Sequence, residues 1–242
     1  QVLLFPVFFR EFGLFKGAWY SLFHSISAFC NAGFDLMGQR EAFSNLSDYA
    51  QDPLVNLVIV ALIVMGGLGF LVWRDLSANR KWNCLSVHTR LVLIMTALLL
   101  IGGTLAIFVL EYSNPQTLGN MPVGNRVLAS LFQATTCRTA GFNTIDQGAL
   151  RSGTAVICIL LMFVGGSSGS TAGGIKTTSV AVLILAAWSV LRSRRDITVF
   201  HRRIEERLVM QAVALVMAAL GLILTGSFIL YTADNVLSLI HI

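Results

Sequence analysis

Charge is what this sequence most lacks. Only 12% of its 242 residues are Asp, Glu, Lys or Arg, about half the ~25% of an ordinary soluble domain. Against 55% hydrophobic residues and a mean hydropathy of +0.75, so little charge excludes a soluble globular enzyme and a disordered chain. Cysteine is sparse as well. Residues 30, 84, 137 and 158 form neither a CxxC motif nor the framework of a disulfide-stapled secreted protein. Gln1 opens directly onto VLLFPVFF without a Met or a basic segment, so no cleavable leader is read there. The chain is therefore expected to begin partway through a longer polypeptide.

What is present is a series of long apolar runs. A bilayer span needs about 20 mostly apolar residues. Residues 54–73 and 91–110 supply two charge-free runs, and 208–231 supplies a third. Residues 152–191 hold one charge, Lys176. As one straight helix that stretch would be roughly 60 Å long, twice the hydrocarbon thickness, so it cannot be a single span. The net charge of +5 is concentrated in two places. Arg74, Arg80, Lys81 and Arg90 occupy one segment, and Arg192, Arg194, Arg195, Arg202, Arg203 and Arg207 the other. Residues 111–125 and 232–242 contain no Lys or Arg. The positive-inside rule then predicts an integral inner-membrane protein with 74–90 and 192–207 cytoplasmic and 111–125 outside. The arginine run reads as a topogenic anchor on the lipid bilayer. No aromatic platform accompanies it, so nucleic acid is not an expected partner.

The chain also repeats. Ser27-Ala-Phe-Cys-Asn-Ala-Gly-Phe-Asp35 aligns with Thr135-Thr-Cys-Arg-Thr-Ala-Gly-Phe-Asn143 at an offset of 108 residues. Each Ala-Gly-Phe follows a helix-compatible segment, 17–29 or 125–137, that is too short to span. Each is followed by a polar stretch and then a long apolar run. Non-helical backbone at membrane depth is tolerated only inside protein or along a water-filled cavity. A short helix ending in a glycine loop therefore predicts either a pore loop or an interfacial turn, and its occurrence twice at matching positions favours the pore. Glycine allows backbone angles that turn carbonyls toward an axis, where they can replace a cation's hydration shell. The two units share one orientation, unlike the inverted repeats of many carriers. Both loops fall on the outer side by the charge rule. The spacing from Arg90 to Phe142 predicts a third such loop near position 259.

The interval from Phe142 to Arg207 exceeds that from Phe34 to Arg90 by nine residues. The excess lies where Gly165, Gly166, Ser167, Ser168, Gly169, Ser170, Thr171, Ala172, Gly173 and Gly174 interrupt the apolar run ahead of Lys176. Such a sequence disfavours a continuous lipid-facing helix and predicts helices over 154–164 and 179–191 around an intramembrane loop. A phosphate loop would require G-x-x-x-x-G-K-[ST]. Here a residue separates Gly174 from Lys176, and no strand precedes. Close packing of small residues and a flexible gate below the filter remain. Lys176 favours the gate, because an intramembrane ammonium serves a cavity or a partner.

These residues carry a resemblance. GGSSGSTAGGIKTT, with SAFCNAGFD and TTCRTAGFNT, resembles the Trk/Ktr/HKT superfamily of potassium transporters, and within it the KtrB-type pore subunits. The resemblance implies an all-α membrane protein of repeated span, pore helix, filter loop and span, with one broken inner helix. Residues 1–90 then resemble the pore helix, filter and inner helix of repeat two. Residues 91–191 resemble the complete repeat three with its broken inner helix, and 192–242 a cytoplasmic linker and the first span of repeat four. It implies a selectivity filter over Cys30, Asn31, Ala32 and Gly33 and over Arg138, Thr139, Ala140 and Gly141. Backbone carbonyls of Asn31, Ala32, Thr139 and Ala140 would hold K⁺. It also implies potassium uptake, Na⁺ as activator, a homodimer, and cytosolic nucleotide-binding RCK subunits as partners.

Among the residues themselves, Arg138 is expected to point away from the pore and to brace the pore helix against a carboxylate such as Asp146. His24 is expected to be packed or hydrogen-bonded rather than a proton site. The competing classes are a cation-coupled solute carrier and a membrane-embedded enzyme. The first would require carboxylates within the spans. The second would require paired acids or a Ser–His dyad at depth, and no neighbouring span gives Ser167, Ser168 or Ser170 a His.

Overall fold

The protein, seen in a computed structural model, is described over residues 1–39, 44–193, 196–200 and 202–233. Arg194 and Arg195 of the basic segment, the tail from 234 and the expected third glycine loop lie outside the described residues. Eight α-helices are present among those described: α1 (Phe5–Phe29), α2 (Pro53–Leu68), α3 (Phe70–Ala78), α4 (Val87–Glu111), α5 (Val123–Thr136), α6 (Ser152–Phe163), α7 (Thr177–Leu191) and α8 (Glu206–Ala233). Two-residue strands β1 (Thr198–Val199) and β2 (Arg202–Arg203) pair antiparallel between α7 and α8. Two helices, Val87–Glu111 and Glu206–Thr232, are long and apolar enough to cross a bilayer. The fold is that of an all-α integral membrane protein.

Two short helices end at the glycine loops, as the repeat predicts. α5 stops at Thr136, and α1 stops at Phe29 after a kink at Gly13 (φ +76°, ψ −176°). The kink folds the first turns of α1 back on the rest. A Cβ on Gly17 would lie 2.8 Å from Phe9 Cα, so only glycine admits that approach. α1 packs on α2, α2 on α5, and α5 on α4, which sets the two glycine loops beside each other. Phe8, Tyr20, Ile59, Phe132 and Phe142 form the core between them. His24 is fully buried in this core. Its Nδ1–H donates to the Tyr20 carbonyl at 2.7 Å, and its Nε2 accepts from Leu36 N at 3.4 Å, as the neutral ring allows. It is a packed histidine, as expected.

The structure departs from the sequence reading at residues 54–73. The apolar run is not one helix. It breaks at Gly69 (φ +87°, ψ 156°), and α3 turns 91° from α2. The inner helix 152–191 is therefore not the only broken one. A left-handed φ at that position is open to glycine and strained for other residues, and hydropathy alone does not register it. Beyond the break, Asp75 anchors the turn into α4. Its carboxylate accepts from Ser86 N and Oγ at 2.8 and 2.7 Å and from Asn79 Nδ2 at 2.9 Å. The Thr89 hydroxyl and these donors hold that carboxyl well below the usual range. A depressed value means that the contribution is complete above the ordinary 3.8 and is lost only as pH falls through the lower value of the folded state.

Glu111 ends α4 and is fully buried. Its carboxylate accepts from Asn114 Nδ2 (2.6 Å), Thr117 Oγ1 (2.7 Å), Arg151 N (2.9 Å) and the Thr154 hydroxyl. One anion thus joins α4, the 112–122 connection and the start of α6. Glu111→Ala strands these donors at about 1–3 kcal/mol for each one left buried and unpaired. The expected result is a lower thermal midpoint of the purified full-length protein, and an unchanged midpoint would count against this role.

Candidate functional site

The two glycine loops share a backbone conformation. In the first, Asn31 (φ +50°) and Gly33 (φ +72°) are left-handed; in the second, Thr139 (φ +65°) and Gly141 (φ +83°) are. These are matching positions at the 108-residue offset. A non-glycine residue enters this region only where its surroundings compel it, so the repetition marks a held geometry. In each loop a hydroxyl from the preceding helix reaches the carbonyl just past the glycine. Ser27 Oγ donates to Phe34 O at 2.7 Å, and Thr136 Oγ1 donates to Phe142 O at 2.5 Å. Side chains therefore hold each loop at the carbonyl past its glycine, while among the described residues no hydrogen bond engages the carbonyls of Asn31, Ala32, Thr139 or Ala140. The loops touch through their glycines, where a Cβ on Gly33 would lie 2.6 Å from Ala140 O and 2.8 Å from Gly141 Cα. Two further hydrogen bonds tie the segments that follow them. Leu46 N donates to Asn143 O at 3.0 Å, and Asn143 N to Asn45 Oδ1 at 3.2 Å.

A cavity of about 670 Å³ opens beside the loops, lined by Asn31, Ala32, Thr139, Ala140 and Gly141 among others. Of the eight residues expected to form the filter, these five line one cavity, and Gly33 meets Ala140 and Gly141 across the loop contact. Cys30 is exposed at the end of its helix and lines a second, apolar cavity of about 190 Å³. Arg138 does not line the filter cavity. It is 5% exposed and points away, as expected, but its partner is not Asp146. Its guanidinium reaches Gly165 O at 3.4 Å, while Asp146 accepts from Gly148 N. The reason is local: Asp146 closes its own tight turn through Gly148 N, whereas the buried Gly165 carbonyl, in the loop just past α6, lies within reach of the guanidinium.

The interrupted inner helix ends at Phe163 and resumes at Thr177. The intervening loop is clasped at its neck by Gly165 N to Ile175 O, Gly166 N to Gly173 O and Thr177 N to Gly166 O, at 3.0–3.2 Å. The clasp demands glycine, since a Cβ on Gly165 would lie 1.8 Å from Gly173 O. Beyond the neck the loop enters the break in the other inner helix. Ser167 N donates to Gly67 O (3.0 Å), Thr171 N to Gly66 O (3.3 Å), and Ser167 Oγ to Leu68 O. Those are the carbonyls that every helix end leaves without an intrahelical partner, so the two broken helices complete one another. Phe70 N in turn donates to Gly169 O at 3.0 Å.

The tip of the loop touches both glycine loops. Gly173 N donates to Thr139 Oγ1 (3.0 Å), Asn31 Nδ2 to Thr171 Oγ1 (3.1 Å), and Thr171 Oγ1 to Phe29 O (3.0 Å). Lys176 stands elsewhere. Its ammonium donates to Ala172 O at 2.8 Å and lines a separate cavity of about 320 Å³ with Met162, Phe163 and residues of α8. The remaining loop members follow the clasp: Ser170 donates to Ser167 O, Ser168 pairs with Thr178, and Gly174 takes φ +70°.

Fold and site together define a helical membrane unit in which two short helices deliver glycine-bent loops to one place, with a polar loop packed against them. Comparison with known proteins places this architecture. Residues 10–240 match the TrkH family, described as cation transport proteins, and the chain belongs to that family. It is 43% identical over 225 residues to the Ktr system potassium uptake protein B of Bacillus subtilis (strain 168), a match covering 93% of this chain and 49% of the relative. It is 37% identical over 235 residues to the potassium/sodium uptake protein NtpJ of Enterococcus hirae, covering 97% of this chain and 51% of that one. The crystal structure of the potassium transporter TrkH from Vibrio parahaemolyticus superimposes with a TM-score of 0.71 at 19% identity, over 96% of this chain and 50% of that chain. The chain spans about half the length of the relatives it matches.

Proposed function

We propose that this chain forms part of the pore of a potassium uptake transporter, with residues 1–90 as the second repeat from its pore helix onward. Residues 91–191 are then the third repeat, and 192–242 the linker and first span of the fourth. K⁺ is coordinated by the carbonyls of Asn31, Ala32, Thr139 and Ala140, within filter segments 30–33 and 138–141. The loop from Gly165 to Lys176 is the gate. The observation that carries this reading is the pair of abutting glycine loops with left-handed residues at matching positions, each held from behind by a hydroxyl. Backbone carbonyls aimed at an axis can replace a hydration shell without any charged ligand. The tip of the polar loop, bonded to Thr139, Asn31 and Phe29 O, supports its role as gate.

The concentration of Lys and Arg in 74–90 and 192–207 supports a cytoplasmic position for those segments, with the filter loops toward the outside of the plasma membrane. The names of the relatives, a Ktr system potassium uptake protein and a potassium/sodium uptake protein, support K⁺ as the transported ion and a multi-subunit system; Na⁺ as activator and regulatory subunits belong to the same proposal. A homodimer on cytosolic nucleotide-binding RCK subunits is the assembly proposed. The test is rubidium uptake by a potassium-uptake-deficient strain carrying the full-length gene. Restored uptake is expected. Its absence, with the protein present in the membrane, would turn the assignment toward a cation-coupled solute carrier.

A further inference from the structure

Two cysteines that the filter does not use stand side by side behind it. Cys137 follows the last residue of α5, two positions before Thr139, and Cys158 lies midway along α6. They are 1% and 6% exposed. Gln133 Nε2 stands 3.7 Å from each sulfur, and both cysteines pack in one cluster with Ile107, Ala134 and Leu161. Gln133 is itself fixed by reciprocal amide bonds with Gln147 of 2.7 and 3.0 Å, so its amide is held in place beside both sulfurs. Both cysteines line the same cavity as Asn31, Ala32, Thr139, Ala140 and Gly141. A small cation that reaches the filter loops therefore shares a cavity with two thiols.

We propose that Cys137 and Cys158 form a two-coordinate site for a soft monovalent d¹⁰ cation such as Ag(I), and that filling it arrests permeation. Paired sulfurs with no third ligand suit such an ion, since thiolate ligands select soft metals and hard K⁺ prefers carbonyl oxygen. Among the described residues no third His, Cys, Asp or Glu joins the group. The step balances without an oxidant. One S–H bond loses its proton to water in the cavity, a metal–thiolate bond forms, and the second thiol donates a lone pair. The occupied site is neutral, as a poorly solvated position requires. Occupation pins α5 to α6, and with them the filter to the helix that leads into the gate loop. Arrest of flux rests on the permeation reading above; binding does not.

The probe is Ag(I) in chloride-free buffer. The protein is the full-length chain with every cysteine except Cys137 and Cys158 replaced by serine. Competition titration is expected to give one silver per chain, and X-ray absorption at the silver edge to give two sulfur neighbours. Adding Cys137→Ser or Cys158→Ser is expected to weaken binding at least tenfold and to free rubidium uptake from silver block. Equal binding by parent and variants, or a shell without two sulfurs, would overturn the site. Should a serine variant fail to fold, the absorption spectrum of the parent decides alone. Silver bound as expected with undiminished uptake would overturn the arrest. No uptake by the unmodified full-length chain, even without silver, would defeat the transport reading while leaving the binding result standing.

Discussion

Replacing Gly33 or Gly141 with serine in the full-length protein is expected to lower rubidium uptake and potassium-over-sodium preference far more than Cys30→Ser does. Both glycines hold a left-handed φ, +72° and +83°. A side chain there carries a backbone penalty of about 1–3 kcal/mol, which corresponds to roughly fivefold to 150-fold in the population of the held loop. Contact adds to it. A Cβ on Gly33 would lie 2.6 Å from Ala140 O, so the neighbouring loop must yield, and that oxygen belongs to a proposed K⁺ ligand. The thiol of Cys30 is exposed and lines the smaller apolar cavity. Equal ion preference in the three variants would remove the carbonyl filter from these positions.

Deleting residues 167–173 is expected to have the opposite sign, raising basal flux. The segment supplies the Thr171 and Gly173 contacts to Asn31, Phe29 O and Thr139. Without it the space beside the filter loops is open to water. The deletion also exposes the carbonyls of Gly66, Gly67 and Leu68 that the loop satisfies. Each becomes costly only if it stays dry, and an opened aqueous cavity hydrates them. Uptake measured at equal membrane abundance checks this, with a several-fold increase expected. Unchanged or lower flux from a folded protein would make the loop a structural brace rather than a gate.

The interrupted inner helix and the two glycine loops were legible in the sequence for different reasons. The 108-residue repeat announced the glycine loops because two copies of Ala-Gly-Phe follow segments too short to span. Five glycines within 165–174 announced the interruption because no lipid-facing helix tolerates them. Gly69 was missed, although Gly66-Gly67-Leu68-Gly69 carries a comparable signal. Apolar neighbours on both sides hide a break from any reading based on hydropathy. The docking of one broken helix into the other was not legible at all. It pairs Ser167 with Leu68 and Thr171 with Gly66 across about a hundred residues of chain, and backbone carbonyls leave no mark in a sequence. Arg138 shows the same limit, since its charge was visible but its partner is the Gly165 carbonyl. Glu111 was passed over because it stands one residue beyond the apolar run 91–110.

The central claim, that carbonyls of these two loops hold the permeating ion, is open to direct observation. Crystals of the full-length protein grown with rubidium, measured at the rubidium absorption edge, locate the ion by its anomalous signal. The account predicts a peak coordinated by the carbonyl oxygens of Asn31, Ala32, Thr139 and Ala140. A well-ordered rubidium elsewhere in the protein, with none at these oxygens, would contradict it.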